Sequence, residues 1–184
     1  ENLLFSLNNA QDLGGLSVTS LDIVQFDGVG FNLFFDGSDV GLSSSDLGVN
    51  LEIDAIDAIS DTEILLSFNL AFNLPGLGAV DDSDILKFEA TSLGDSTEGS
   101  FSLYFDGSDV GLTTGGEDID AITSLPDGSL LLSTTTNLNP GGGVIALDED
   151  IVLFTPTSLG EDTSGTFSLF FDGSDVGLVD GSGD

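Results

Sequence analysis

A segment of twelve residues occurs three times along this chain, at positions 31–42, 101–112 and 167–178. Eight of them, with the sequence FDGSDVGL, are identical in all three copies. Self-similarity this close predicts a repeat protein, in which each unit is stabilised by packing on its neighbours along the chain. Such arrays commonly extend, display or bind, so the repeat favours a structural or binding role over catalysis.

The repeat boundaries follow from aligning the copies, since residues 123–178 match 57–112 without a gap. The predicted units are a partial repeat at 1–42 that lacks its first strand, full repeats at 43–112 and 113–178, and the start of a further repeat at 179–184. The loop after residue 26 is eight residues shorter than its counterpart in the second repeat. We expect a segment of a longer tandem chain, and keep open that a neighbouring molecule supplies the missing strand by strand addition.

Each full repeat is predicted to contain four short antiparallel strands. In the third repeat these strands cover 118–123, 129–135, 150–155 and 166–171. A Pro-Asp-Gly turn at 126–128 joins the first two strands, and a Gly-rich loop at 139–143 precedes the third. The sequence therefore predicts an all-β fold of tandem repeats of about 66–70 residues, built as stacked or serial β-sandwich-like units. Propeller-like blades are the alternative.

Alternation along the fourth strand predicts which side chains share a face. Phe167, Leu169 and Phe171 are expected on one face, and Phe170 on the other. Tyr104 takes the place of Phe170 in the second repeat. We therefore expect this second face to be half-buried or to lie against a neighbouring repeat.

The charge of the chain is strongly one-sided. It has 33 acidic residues, one basic residue (Lys87) and no His, which gives a net charge of −32. This self-repulsion opposes compaction, so bound cations, high salt or a basic partner are expected to offset it. Phosphate binding needs Lys and Arg, which argues against nucleic acid and anionic membranes as partners. No run of 18 apolar residues occurs, so we expect no membrane insertion.

The residue types also argue against an enzyme. Without His and Cys, the chain lacks the usual general base and the thiol nucleophile. Pairs of carboxylates could serve glycoside hydrolysis, but here they are copied in every repeat, whereas a catalytic pair commonly occurs once.

Acidic residues form three sets within the repeats: in the DGSD segment, at the start of the first strand, and before the third strand. Ca²⁺ takes six to eight oxygen ligands and tolerates loose geometry, so these sets predict calcium sites. The predicted ligands are Asp36, Asp39, Glu52, Asp54, Asp106, Asp109, Glu117, Asp118, Asp120, Asp148, Asp150, Asp172, Asp175 and Asp180. The DGSD segment alone is also typical of a turn, in which Asp and Ser bond the backbone and Gly takes the left-handed conformation.

The strings FDGSDVGL, EDIDAI, PDGSLLLS and DEDIVLFTPTSLG resemble tandem repeats of very large secreted proteins of environmental bacteria. The chain is also similar in character to the calcium-stabilised matrix fibres of biofilms. This resemblance implies a secreted or cell-surface, structural and calcium-dependent protein. The partners it implies are further copies of the chain and a surrounding polysaccharide matrix.

Three functional hypotheses remain open from the sequence. The first is a structural subunit of an extracellular fibre or biofilm matrix, with repeats held in register by calcium between acidic loops. The second is a calcium-dependent adhesin or carbohydrate-binding repeat module, although Trp is absent and Tyr104 is the single Tyr. The third is halophilic adaptation, which predicts that monovalent salt at molar concentration satisfies the charge.

Overall fold

The computed structural model of the protein describes residues 2–141 and 143–178. The prediction of an all-β fold is confirmed over these residues. Helical structure within them is limited to one short helix, α1 (Ser44–Leu47), and to 3₁₀ turns at Ser38–Val40, Ser108–Val110 and Ser174–Val176. None of the helices in this part of the chain has the length and apolar character needed to span a bilayer.

The strands repeat in the same order in each unit. The first repeat contains β1 (Leu3–Phe5), β2 (Gln11–Asp12), β3 (Ser17–Val18), β4 (Ile23–Phe26) and β5 (Phe31–Phe35). The second contains β6 (Ile53–Ala58), β7 (Glu63–Phe68), β8 (Phe72–Leu74), β9 (Gly78–Val80), β10 (Ile85–Ser92) and β11 (Glu98–Phe105). The third contains β12 (Ile119–Ser124), β13 (Leu130–Thr134), β14 (Leu138–Gly141), β15 (Val144–Ala146), β16 (Ile151–Ser158) and β17 (Ser164–Phe171).

Each full repeat forms one antiparallel four-stranded sheet, with strand orders β11-β10-β7-β6 and β12-β13-β16-β17. The first repeat has the corresponding three strands, in the order β1-β4-β5. A two-stranded hairpin lies between the second and third main strands of the full repeats, where the sequence predicts a Gly-rich loop. That prediction is incomplete, because Leu138 and Ala146 of β14 and β15 pair with each other and are buried in the core.

The three main sheets stack in series, with a hydrophobic core between each pair of neighbours. Strand β7 is buried on both faces, since Ile64 and Leu66 enter the first core and Leu65 enters the second. All three of these side chains are fully buried. Its continuous apolar run therefore serves two interfaces, as expected of a strand that is covered on both sides. The sheets that are described form an open series and not a ring of propeller-like blades.

Aromatic packing is nearly the same at the two junctions. Phe35 of the first repeat packs edge-on against Phe88, with ring centroids 5.1 Å apart at 82°. Phe105 of the second repeat packs in the same way against Phe154, at 5.0 Å and 83°. Edge-to-face pairs at this separation are favourable beyond the area that they bury. Neighbouring repeats therefore meet in one recurring geometry.

A β-bulge in the fourth strand makes its two faces differ from those that the sequence predicts. In the third repeat Val152 pairs with Leu169 and Ile151 pairs with Phe171, so Phe170 is an extra residue in β17. The prediction that Phe171 shares a face with Phe167 and Leu169 is therefore wrong. In the second repeat the equivalent bulge turns Phe105 with Tyr104 towards the core shared with the third repeat. A bulge breaks the two-residue period that the alternation argument assumes. The expectation that Tyr104 faces a neighbouring repeat is confirmed.

Candidate functional site at the repeat junctions

Each FDGSDVGL string folds into a 3₁₀ turn that leads the chain out of its sheet. The second glycine of the string ends the turn, and Gly41, Gly111 and Gly177 have φ values of 85°, 95° and 83°. This left-handed region favours glycine because it has no Cβ. In the first two strings the apolar residues enter a junction, and Phe105 and Leu112 are fully buried there. In the third string Val176 and Leu178 are exposed.

A buried aspartate before the third main strand holds the first glycine of each string. Asp84 Oδ1 accepts a hydrogen bond from Gly107 N at 3.0 Å, and its Oδ2 accepts from Asp81 N at 2.8 Å. Asp22 and Asp150 make the equivalent bonds in the first and third repeats. The structure thus places Asp150, a predicted calcium ligand, where both of its oxygens accept backbone N–H groups.

The string of the second repeat also binds a loop of the third. Asp109 Oδ2 accepts from Thr163 N at 2.9 Å, and Asp106 N donates to Thr163 Oγ1 at 3.0 Å. The Thr163 hydroxyl donates to Gly160 O at 2.7 Å, and Gly160 N donates to Tyr104 O at 2.8 Å. We call this set of four hydrogen bonds the latch.

The same latch joins the first repeat to the second. Asp39 Oδ2 accepts from Thr97 N at 2.9 Å, and Asp36 N donates to Thr97 Oγ1 at 2.9 Å. Gly94 N donates to Phe34 O at 2.9 Å. The first two DGSD segments hold four predicted ligands. Two of them, Asp39 and Asp109, accept a hydrogen bond across a junction, at 2.9 Å in both cases.

Replacing Thr163 with Val is expected to weaken the second junction. The side chain is 4 % exposed, so the Asp106 N–H and the Gly160 carbonyl would lose a buried partner, at a cost of about 2 kcal/mol. For a chain of this size that corresponds to a fall in Tm of roughly 4–8 °C. Thermal unfolding measures the fall in Tm. Thr166→Val is the control, because Thr166 is exposed on β17 and undergoes the same chemical change. Equal Tm values for the two variants would show that the latch contributes nothing.

The first aspartate of each DGSD segment bonds within its own turn. Asp36 Oδ1 accepts from the backbone N of Ser38 at 3.0 Å and from its Oγ at 2.7 Å, and Asp106 does the same with Ser108. In the third repeat Asp172 Oδ1 accepts from Ser174 Oγ at 2.6 Å, which lowers the pKa of Asp172. The remaining predicted ligand of this group, Asp175, is exposed and donates its backbone N–H to Asp172 Oδ1. The turn interpretation of DGSD accounts for these contacts.

A separate group of carboxylates meets at the junction of the second and third repeats. Asp54 belongs to β6, Asp82 precedes β10, and Asp118 immediately precedes β12. The carboxylates of Asp54 and Asp118 lie within hydrogen-bonding reach of each other. A methyl group at Gly115 would lie 3.6 Å from Asp82 Oδ2, so Asp82 reaches the loop that opens the third repeat. We call Asp54, Asp82 and Asp118 the junction cluster; the exposed Asp120 lies beside it.

Burial and mutual repulsion make the junction cluster hard to ionise. Burial, together with the charges of Asp54 and Asp82, raises the pKa of Asp118 to about 7. Burial also raises the pKa of Asp82 to about 6, with a contribution from the adjacent Asp81. The pKa of Asp54 is raised by burial and by the charge of Glu52. Asp118 thus has the negative charges of Asp54 and Asp82 nearby and no compensating positive charge.

Glu117 has a different environment, although it precedes Asp118 in the chain. Its Oε2 accepts from the backbone N of Thr113 at 2.8 Å and of Thr114 at 2.9 Å, and its Oε1 accepts from Asn139 N at 3.3 Å. Burial raises the pKa of Glu117, but these backbone hydrogen bonds outweigh burial and lower it. This carboxylate caps the backbone of a loop.

The other predicted ligands are dispersed. Glu52 lies close enough to Asp54 to raise its pKa, and Asp148 lies within hydrogen-bonding reach of Glu149. Asp180 lies outside the described residues. Within 2–141 and 143–178, no three acidic side chains already surround a common point as metal ligands do. The calcium sites stay a prediction.

The sequence did not predict the residues of the next repeat that form hydrogen bonds with the DGSD turns. Thr97 and Thr163 end the segments LGDST at 93–97 and LGEDT at 159–163. The first repeat lacks this segment because its loop is shorter, and that difference was the available signal. A further missed contact joins β6 to β12, where Asp57 Oδ2 accepts from the Ser124 backbone N at 2.7 Å.

Comparisons with protein-family models, with curated proteins and with solved structures gave no match.

Proposed function

We propose that this chain is a structural module of an extracellular fibre or biofilm matrix, in which successive repeats stack in a fixed register and calcium offsets their acidic charge. The module is not catalytic. Its partners are further copies of the same repeat, within a matrix that includes polysaccharide. The extracellular setting follows from the resemblance of the FDGSDVGL strings to repeats of secreted proteins.

The observation that supports this proposal is the latch. Its hydrogen bonds join Asp39 to Thr97 and Asp109 to Thr163, each at 2.9 Å. Residues of the most strongly repeated string thus serve to fix one repeat on the next. An identical string that makes the contact between repeats at each junction favours a protein that extends in one direction.

Calcium is part of the proposal because the negative charge of the chain has to be balanced. The chain has one basic side chain, Lys87. Its Nζ lies 2.9 Å from Glu89 Oε1 and 3.3 Å from Glu63 Oε1, on the sheet of the second repeat. With a net charge of −32, the remaining neutralisation has to come from outside the chain. Extracellular modules bind Ca²⁺ with dissociation constants of about 10⁻⁴–10⁻³ M, which suits the proposed setting.

Thermal unfolding and negative-stain imaging in about 2 mM CaCl₂ and in excess EDTA, at fixed ionic strength, test the proposal. We expect ordered assemblies and a higher Tm with calcium, because carboxylates that repel each other when empty are bridged by a divalent ion. A protein that keeps its assemblies and its Tm in EDTA would contradict the calcium-dependent fibre. Molar NaCl in place of calcium is the control, since a halophilic protein would be rescued by it.

A further inference from the structure

We infer that Asp54, Asp82 and Asp118 bind one divalent cation that prefers oxygen ligands, such as Ca²⁺, between the second and third repeats. The inference deepens the proposed function and rests on it for the supply of calcium. The site itself follows from the buried, unpartnered oxygen of Asp118 and from the carboxylates around it. It is distinct from the DGSD turns, whose carboxylates serve the turn and the latch.

Asp118 carries an oxygen that the protein leaves without a partner. Its side chain belongs to a residue that is only 8 % exposed, and Oδ1 is buried and receives no hydrogen bond from the described residues. Asp84, Asp150 and Glu117 are buried to a similar degree, yet each accepts backbone N–H groups on both oxygens. A buried carboxylate oxygen is costly to leave unsatisfied, so Asp118 is the exception that needs a ligand.

The surroundings of Asp118 supply negative charge. Asp54 approaches it within hydrogen-bonding reach and Asp82 acts on it through its charge. The chain has no His and one basic residue, Lys87, which is engaged with Glu63 and Glu89. A cation from solution is therefore the ligand whose charge matches the site.

The first junction shows that stacking does not require these carboxylates. Ile119 N donates to Asp82 O at 3.1 Å, and Ile53 N donates in the same way to Ser20 O at 3.0 Å. Ser20 thus holds the position of Asp82, but its Oγ donates to Leu51 O at 2.9 Å. The same backbone contact forms at the first junction without an acidic pair. The carboxylates of the second junction are therefore not needed for the stacking of the sheets.

The donor set fits a hard cation. Three carboxylates offer up to six oxygens, and Ca²⁺ takes six to eight with water completing the shell. Asp54 and Asp118 already approach each other, while Asp82 contributes by rotating its side chain towards them. Asp54 and Asp82 belong to the second repeat and Asp118 to the third, so a bound ion would join the two repeats across their shared core.

Calorimetric titration of the full chain with CaCl₂, at a protein concentration too low for assembly, tests the site. We expect Asp118→Asn to remove one bound ion per chain and the part of the calcium-induced rise in Tm that this ion gives. Asp82→Asn leaves the contact between Asp54 and Asp118 in place and should weaken binding at this site by at least about tenfold. Asp61 is an exposed carboxylate in the connection between β6 and β7; Asp61→Asn removes the same charge and should bind as the wild type does.

Three outcomes are informative. If Asp118→Asn binds calcium with wild-type stoichiometry and gives the same rise in Tm, the site is wrong while the proposed function stands. If Asp82→Asn binds like the wild type, Asp82 is not a ligand and the three-residue cation site is overturned. If the wild type itself binds no calcium, both the site and the calcium-dependent function fail.

Discussion

Replacing Gly107 with Ala is expected to lower the stability of the chain by about 3 kcal/mol or more, through overpacking at a junction. The backbone of Gly107 has φ −65° and ψ −33°, which any residue can adopt, so the effect is purely one of space. A Cβ at this position would overlap the carbonyl oxygen of Ser83 and lie 2.5 Å from its Oγ. Relief of the overlap would pull the Gly107 N–H away from Asp84, to which it donates at 3.0 Å.

Thermal unfolding of Gly107→Ala should show a fall in Tm of roughly 6–12 °C for a chain of this size. Gly30→Ala is the matched control, because a Cβ there would meet nothing within 4 Å and the residue does not have positive φ. Equal Tm values for the two variants would mean that the close approach of Gly107 to Ser83 is not needed for the fold.

Acidification from about pH 8 to about pH 5 in EDTA is expected to raise the Tm of the chain, by roughly 2–4 °C for each 1 kcal/mol gained. The pKa of Asp118 is raised by burial to about 7, from an ordinary 3.8. Between these values the folded protein binds more protons than the unfolded chain, so its stability falls as the pH rises through this range. Protonation of Asp118 removes its repulsion with Asp54, Asp82 and Asp120, the charged groups that face it.

Asp118→Asn separates this effect from the general charge of the chain. The variant should be more stable than the wild type at about pH 8 in EDTA, and its Tm should change less with pH. The residual pH dependence then comes from Asp82 and Asp84, in both of which burial raises the pKa to about 6. A wild-type Tm that falls on acidification over this range would contradict the assignment.

Local patterns in the sequence were sufficient for the four main strands of each full repeat. The apolar run at 130–132 and the Pro-Asp-Gly turn at 126–128 predicted β12 and β13 to within one residue at each end. The hairpin of β14 and β15 was missed because Pro and several Gly outnumber its two anchoring apolar residues, Leu138 and Ala146. Its formation depends on burial of those two side chains against the third sheet, which local propensity does not report.

Chain distance explains what the sequence left open at the candidate site. The latch joins Asp39 to Thr97 and Asp109 to Thr163 across 58 and 54 residues, and a short motif carries no sign of such a partner. Asp54 and Asp118 were both predicted as ligands, but nothing in the sequence showed that β6 and β12 bring them together. Asp82 lies in a turn with several other acidic residues, and the sequence does not distinguish it from them. Only the stacking of the sheets shows that Asp82 lies at the junction.

The latch has a consequence for symmetry. The turn on one repeat and the loop on the next are different surfaces, so each interface is heterologous, and a heterologous contact has a direction. Since both junctions use the same partners at the same distances, one rotation and translation relates each sheet to its successor. Repetition of that single screw operation gives a filament with defined handedness and two unlike ends, or a ring where the translation vanishes.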